Sequence, residues 1–404
     1  MTPKKLLLMA HDVTLAHLGR PLQLATYLHQ AGHDVTLAAS AESTRFLKNF
    51  PGRTHLLAPT GKAKFIDNLA KGRPVFDFET LKRFAEEDET LLAHYQPDVV
   101  IGDFRISLSA SARRLHVPYA TITNAYWSPA FAPRFVVPDL PMVKYLGVGI
   151  SQHLFDLARP FAFAYHCRPM NALRRHYNLP SLGHDLRHIY TDADLVLFSD
   201  VPELYDATAS PPDKGLFLGP IQWSPDVPLP DWWSRLDPDT PTIYVTLGSS
   251  GDGKLLPRLV DTLRRTGLQL IVASAGAPGV TTADNVFCAD YLPGDAAAAR
   301  SALVICNGGS PTSSQALAHG VPVLGIPSNL DQYLNMHFLE KWGAALTLRR
   351  HELRDDIIQA RLHQLLDVPA FHDSARRLAQ TYARHDTARI LEGTVLETLL
   401  RPKY

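Results

Sequence analysis

The feature that most limits the fold is a repeated alternation, in which short β-branched or apolar runs are each followed by a stretch of helical periodicity. Leu6–Ala10 is the first such run. It leads through a loop, His11–Gly19, into a helix with Leu22, Leu24, Ala25 and Leu28 on one face, stopped by Gly32, a residue favoured just past a helix end. Val35–Ala39 follows, and Asp98–Gly102 and Tyr119–Ile122 are runs of the same kind, with a helical pattern over Leu108–Leu115 between them. A second series begins near Thr242 with Ile243–Leu247 and the helix Pro257–Thr266. It continues through Leu268–Ser274, Val286–Cys288, Leu303–Cys306 and Pro322–Ile326. Apolar runs this short, alternating with helices, predict parallel sheets covered on both faces.

Between the two series, Pro211 to Pro241 holds eight prolines and three of the five tryptophans. Such a density marks an extended linker, neither helix nor sheet. The expected class is α/β, two Rossmann-like domains facing across a cleft: residues 1–220, a Pro-rich linker at 221–241, and residues 242–380. A chain of 404 residues suits that division. Ligands of such sheets sit beyond the carboxyl ends of the strands.

Composition narrows the function. Lys and Arg number 40 and Asp and Glu number 40, with no long single-sign run, which argues against a nucleic-acid binder working by counterion release. Cys167, Cys288 and Cys306 have neither a disulfide framework nor zinc-site spacing, so a reduced, cytoplasmic setting is expected. Five apolar residues after Lys5 are too few for a signal-peptide core, and no apolar run reaches the ~18 residues of a membrane span.

The strongest local feature is Cys306-Asn-Gly-Gly-Ser-Pro-Thr-Ser-Ser-Gln-Ala-Leu-Ala-His-Gly-Val-Pro322. A buried strand ends at Cys306, Gly308 and Gly309 turn the chain, and a helix runs on to Gly320. Ser310 suits the N-cap and Pro311 the first helical position. Free N–H groups and the positive end of the helix dipole would then face a phosphate or diphosphate. The loop Thr246-Leu-Gly-Ser-Ser-Gly251 ends another strand with further N–H and hydroxyl donors. In Pro327-Ser-Asn-Leu-Asp-Gln332, Asp331 and Gln332 offer acceptors and donors for hydroxyls. Three polar loops at one sheet edge suit a nucleotide carrying a polyhydroxylated group.

With these residues in place, the chain resembles the UDP-glycosyltransferase-like enzymes, inverting glycosyltransferases of the GT-B fold, of the bacterial small-molecule or macrolide type. Gly308–Asn335 is similar to their donor-binding signature. Ala16-His17 with Gly32-His33-Asp34-Val35-Thr36 is similar to their Gly-His loop and first helix. Pro97–Asp103, Leu218-Gly219-Pro220 and Tyr244–Ser249 match further landmarks. The resemblance implies His17 as general base and Asp103 as the carboxylate that orients it, a pairing suited to imidazole chemistry near neutral pH. It also implies that residues 381–404 form a helix crossing back to the first domain.

For the donor, the resemblance implies Asp331 and Gln332 on sugar hydroxyls. Ser249, Ser250, Asn307, Gly308, Gly309, Thr312 and Ser313 would lie around the diphosphate. Tyr291 and Leu292 would sit at the base, the Tyr291 ring either stacking there or packing in the core. No metal and no cofactor are expected, since helix and serine donors can neutralise a diphosphate and the Asp-x-Asp triplets at Asp192 and Asp237 read as solvated. Three positions depart from the family: Asn307 replaces a histidine, Pro311 an asparagine, and Gln315 a glutamate that bonds ribose hydroxyls. Gln315 can still accept one hydroxyl, so UDP and dTDP remain equally open as carriers.

On the acceptor side, Asn124–Phe163 is rich in aromatic and apolar residues, most of which read as hydrophobic core, and the resemblance implies Asn124, Trp127 and Phe131 as contacts for an aromatic or lipophilic acceptor. Met142–Leu157 could instead touch a membrane, but it lacks a Lys/Arg-rich polar face. A non-catalytic GT-B partner of another transferase is the second reading, a nucleotide-sugar epimerase a weaker third. The missing G-x-G-x-x-G turn in His11–Gly19 disfavours a nicotinamide dehydrogenase. The partners expected are a nucleoside diphosphate sugar and a small acceptor, with neither nucleic acid nor a transmembrane segment.

Overall fold

A computed structural model describes residues 2–131, 133–205, 214–248 and 250–401. Seven of its strands are β1 (Lys5–Ala10), β2 (Asp34–Ser40), β3 (Arg53–Leu57), β4 (Val99–Asp103), β5 (Tyr119–Thr123), β6 (Leu195–Phe198) and β7 (Gly215–Phe217). They form one parallel sheet in the order β3-β2-β1-β4-β5-β6-β7. Six more are β8 (Thr242–Thr246), β9 (Gln269–Ala273), β10 (Val286–Ala289), β11 (Leu303–Cys306), β12 (Val323–Gly325) and β13 (Ala345–Thr347). These form a second parallel sheet, β10-β9-β8-β11-β12-β13. Both orders reverse direction once, between β1 and β4 and between β8 and β11. In doubly wound sheets the crevice beyond the strand ends at such a reversal is where ligands bind.

The central strands are short because both faces are covered. Leu6–Ala10, Val99–Ile101 and Leu303–Cys306 are almost wholly buried. In the first unit Leu7, Met9 and Val100 pack on Leu91, Leu92 and Leu108. In the second, Ile243, Val245 and Ile305 pack with Leu256, Leu259 and Leu263, from the helix Leu256–Arg264. Register places the strand ends together: Ala10 is paired with Asp103 and Thr246 with Cys306.

The chain divides into two compact units, one drawn from residues 1–132, 157–221 and 385–404, the other from 133–156 and 222–384. The stretch 133–156, expected within the first domain, thus packs with the second unit. There the Arg349 guanidinium donates to Asp139 Oδ1 and to the Val137 carbonyl, both at 3.0 Å. The linker is not extended throughout, because Asp231–Arg235 makes a 3-10 turn. That turn buries Trp232, whose Nε1 donates to the Cys288 carbonyl at 3.1 Å. In the first unit, Thr387 Oγ1 donates to the Leu218 carbonyl at 2.8 Å. Next to it Gly219 sits at φ 80°, and a Cβ there would come within 2.6 Å of His385. No helix among the described residues is long and apolar enough to cross a membrane.

Candidate active site

In the first unit, the helix Leu15–Gln30 begins beside the end of β4 and presents His17 and, one turn later, Arg20 on the same face. His17 Nδ1 lies 2.7 Å from Asp103 Oδ1. Arg20 grips the same carboxylate through Nε to Oδ2 at 2.7 Å and Nη2 to Oδ1 at 2.9 Å. Asp103 is fully buried while His17 keeps 20% of its side chain exposed. Burial alone would raise the Asp103 carboxyl, but the Arg20 guanidinium and then His17 outweigh it and hold the group below the usual range. An ionised Asp103 accepts the Nδ1–H of His17, which leaves Nε2 as the basic nitrogen.

Phe104 follows Asp103 at φ 55°, a backbone conformation uncommon for a bulky residue. Its ring stacks on the His17 imidazole, centroids 4.7 Å apart and planes 18° apart. His11, just past β1, is fully buried among Phe76 and Phe84. Burial lowers its pKa well below the ordinary value, so it stays neutral beside the His17–Asp103 pair.

Two of the three expected acceptor residues are already engaged. Asn124 is buried, taking Arg20 Nη1 on its Oδ1 at 3.0 Å and donating Nδ2 to Asp200 Oδ1 at 3.0 Å. It is therefore a strut behind Arg20 rather than an acceptor contact. Burial first of all pushes the Asp200 carboxyl up to about 6. Phe131 belongs to the core, its ring against Phe198, Tyr205 and Phe217. Trp127 stays half-buried, edge-on to Tyr190 with centroids 5.1 Å apart. Tyr190, 5.6 Å from Phe104, borders a small cavity of about 20 Å³ also lined by Val75, Phe76, Ile106, His166 and Met170.

In the second unit the three polar loops converge on one hydroxyl. Ser250 Oγ accepts from Asn307 Nδ2 at 3.1 Å and from Gln332 Nε2 at 3.4 Å, and Ser250 itself is exposed. With its lone pairs drawn on by two amides, the Ser250 O–H is a polarised donor. Ser249 lies outside the described residues. Gly308, at φ 73°, makes the turn after β11, and Asn335 Nδ2 holds it by donating to its carbonyl at 2.8 Å.

The first turn of the helix Ser310–Ala318 differs from expectation. Its cap is Gly309 and not Ser310, and Pro311 takes the second helical position. The Gly309 N–H is held by Asn307 Oδ1 at 3.0 Å. Ser313 is buried, its N–H and hydroxyl both turned to the Gly309 carbonyl at 3.2 and 3.0 Å, so it braces the turn instead of offering a donor. Thr312 is partly exposed in that turn. Gln332 is buried as well, its Oε1 accepting from Ser328 N and Oγ, which leaves Asp331, half-buried beside it, as the accessible member of the pair. Gln315 Nε2 donates to the Trp223 carbonyl at 2.5 Å and to Ser224 Oγ at 3.0 Å. Its Oε1 faces Gly294, where a Cβ would come within 2.6 Å of it. Tyr291 is half-buried and Leu292 buried, so Leu292 has only backbone groups to present. Among the described residues, no group of three or more His, Cys, Asp or Glu is placed to hold a metal ion.

Residues 258–391 match the family described as Erythromycin biosynthesis protein CIII-like, C-terminal domain. A PGL/p-HBAD biosynthesis glycosyltransferase of Mycobacterium tuberculosis (strain ATCC 25177 / H37Ra) is 44% identical over 380 residues, covering 94% of this chain and 89% of that protein. A PGL/p-HBAD biosynthesis rhamnosyltransferase of Mycobacterium bovis (strain BCG / Pasteur 1173P2) is 42% identical over 382 residues, covering 94% of this chain and 85% of that one. The same fold is seen in the spinosyn forosaminyltransferase SpnP, at TM-score 0.72 and 17% identity over 98% of this chain and 100% of that one. It recurs in the spinosyn rhamnosyltransferase SpnG complexed with thymidine diphosphate, at TM-score 0.69 and 17% identity, again over 98% and 100%.

Proposed function

The chain belongs to the UDP-glycosyltransferase-like enzymes, GT-B glycosyltransferases of the macrolide type, and we propose that it transfers a sugar from a nucleoside diphosphate to a hydroxyl of a small apolar acceptor in one inverting displacement. The 2.7 Å contact between His17 and Asp103 carries this reading. His17 Nε2 takes the proton of the acceptor hydroxyl as its oxygen attacks the anomeric carbon. The bond from that carbon to the diphosphate oxygen breaks, and its electron pair leaves with the diphosphate. Asp103 stays ionised throughout, fixing the tautomer and stabilising the imidazolium that forms. Phe104, stacked on the imidazole, shelters the reacting hydroxyl.

Donor binding falls to the second unit. The hydroxyl of Ser250 and the first turn at Thr312 meet the diphosphate, so that amide and hydroxyl donors offset its charge without a divalent ion. Asp331 accepts from the sugar hydroxyls. Gln315 has both amide hydrogens engaged and one carbonyl left, which suits the single ring hydroxyl of a 2′-deoxyribose. Thymidine diphosphate is therefore the favoured carrier. The rhamnosyltransferase relative and the neighbour crystallised with thymidine diphosphate support a deoxyhexose on that carrier. The configuration of the product, read by NMR at the anomeric proton, tests the single displacement: inversion is expected, and retention would contradict it.

A further inference from the structure

Within the first unit, one face carries apolar side chains that nothing in the fold covers. The helix Pro141–His176 exposes Leu157, Phe161 and Tyr165, four residues apart on one stripe, at 72%, 79% and 41%. Its neighbour, the helix Lys62–Ala70, exposes Ile66 and Leu69 at 48% and 43%. The two lie side by side: Phe65 and Cys167 share one core cluster, and the His166 ring bonds the Gly72 backbone. Single exposed apolar residues are ordinary, but five on adjacent helices form a patch that calls for a partner.

Basic side chains outnumber acidic ones around the patch, where Asp67, Asp77 and Asp156 are the exposed acids. From Leu157 to His176 there is no acidic residue, while Arg159, Arg168 and Arg175 are present at its surface. Residues 62–73 hold Lys62, Lys64, Lys71 and Arg73, of which Lys71 pairs with Asp67 at 2.7 Å and Lys64 with Asp77 at 2.6 Å. Arg168 lies over the Tyr165 ring at 5.6 Å and Arg159 over the Phe163 ring at 6.0 Å. Both guanidinium groups thus lie near the aromatic side chains of this face. The cationic flank lies beyond Leu157, which is why the stretch ending there shows no such face.

We infer that this face docks on a lipid bilayer bearing anionic headgroups. Apolar and aromatic side chains flanked by Lys and Arg are what an interfacial surface presents to such a membrane. A second copy of the chain is a poorer occupant, since it would set two cationic faces against each other. The inference rests on no part of the proposed transfer chemistry.

Sedimentation of the full-length protein with vesicles tests it. Binding is expected to phosphatidylcholine vesicles containing about one third phosphatidylglycerol and to be weak on phosphatidylcholine alone, with the difference lost in about 1 M salt. The double variants Leu157→Ser/Phe161→Ser and Arg159→Gln/Arg168→Gln should each lower the vesicle affinity about tenfold. Both change surface side chains only, and an unaltered melting temperature checks their fold. No binding to the anionic vesicles, or binding that both variants leave intact, would overturn the proposal. So would a dimer in solution that Phe161→Ser converts to monomer, because the patch would then belong to a second copy.

Discussion

Arg20 and Asp103 form a buried two-point pair, with Nε to Oδ2 at 2.7 Å and Nη2 to Oδ1 at 2.9 Å, while the remaining arm of Arg20 reaches Asn124 at 3.0 Å. The carboxylate that orients His17 is thus itself held from behind, and one cation keeps it charged in a place where burial would neutralise it. A planar, permanently charged fork is the side chain best suited to that task.

Replacing Arg20 by Gln removes the largest influence opposing burial, so the Asp103 carboxyl rises. The sign follows from linkage. In the native protein the depressed carboxyl stabilises the fold above its unfolded pKa, and that contribution is lost as pH falls through the lower folded value. In Arg20→Gln the loss of both stability and turnover on acidification should begin at higher pH. Opening a buried pair in this way should also cost about 3–5 kcal/mol. Turnover and denaturant midpoints across the acid range check this, and an acid limb that does not move would contradict it.

Ser250→Ala removes the hydroxyl on which Asn307 and Gln332 converge. The expected result is a donor KM raised about tenfold, since a hydrogen bond to a charged group contributes ~1.5–3 kcal/mol. The acceptor KM should stay the same, because no acceptor group is assigned to this loop. Steady-state kinetics with each substrate varied in turn separate the two.

Thermal unfolding with nucleotides tests the carrier. At 100 times its dissociation constant a ligand adds ~2.7 kcal/mol of stability, so dTDP should raise the melting temperature more than UDP at equal concentration. A larger shift with UDP would contradict the role given to the Gln315 carbonyl.

Much of the architecture was legible because parallel strands buried on both faces leave unbroken apolar runs; Leu6–Ala10 and Leu303–Cys306 are such runs. β3, with its Arg-Thr-His start, lies at a sheet edge with an exposed face and reads as polar. β7 is only Gly-Leu-Phe. His17 and Asp103 could be found because Asp103 ends a strand and His17, expected in the loop His11–Gly19, lies in the first turn of the helix that begins there at Leu15. Arg20 could not, since an arginine among the leucines of an amphipathic helix reads as its solvent face. Its spacing of three from His17 was the one available signal. Phe131, Ser313 and Gln332 differ in the opposite sense, being buried where the sequence suggests an open site. All three are of residue types that line sites, yet here each has its packing or hydrogen bonds satisfied inside the fold, which only tertiary contacts disclose.

The most direct test of the account is single-turnover transfer by His17→Ala, with nucleotide binding measured on the same protein. Loss of a positioned base should lower the transfer rate about 10²–10⁴-fold, while the affinity for dTDP, held by the second unit, stays within about a factor of two. Transfer at the wild-type rate by His17→Ala would show that the proton leaves by another route and would contradict the account.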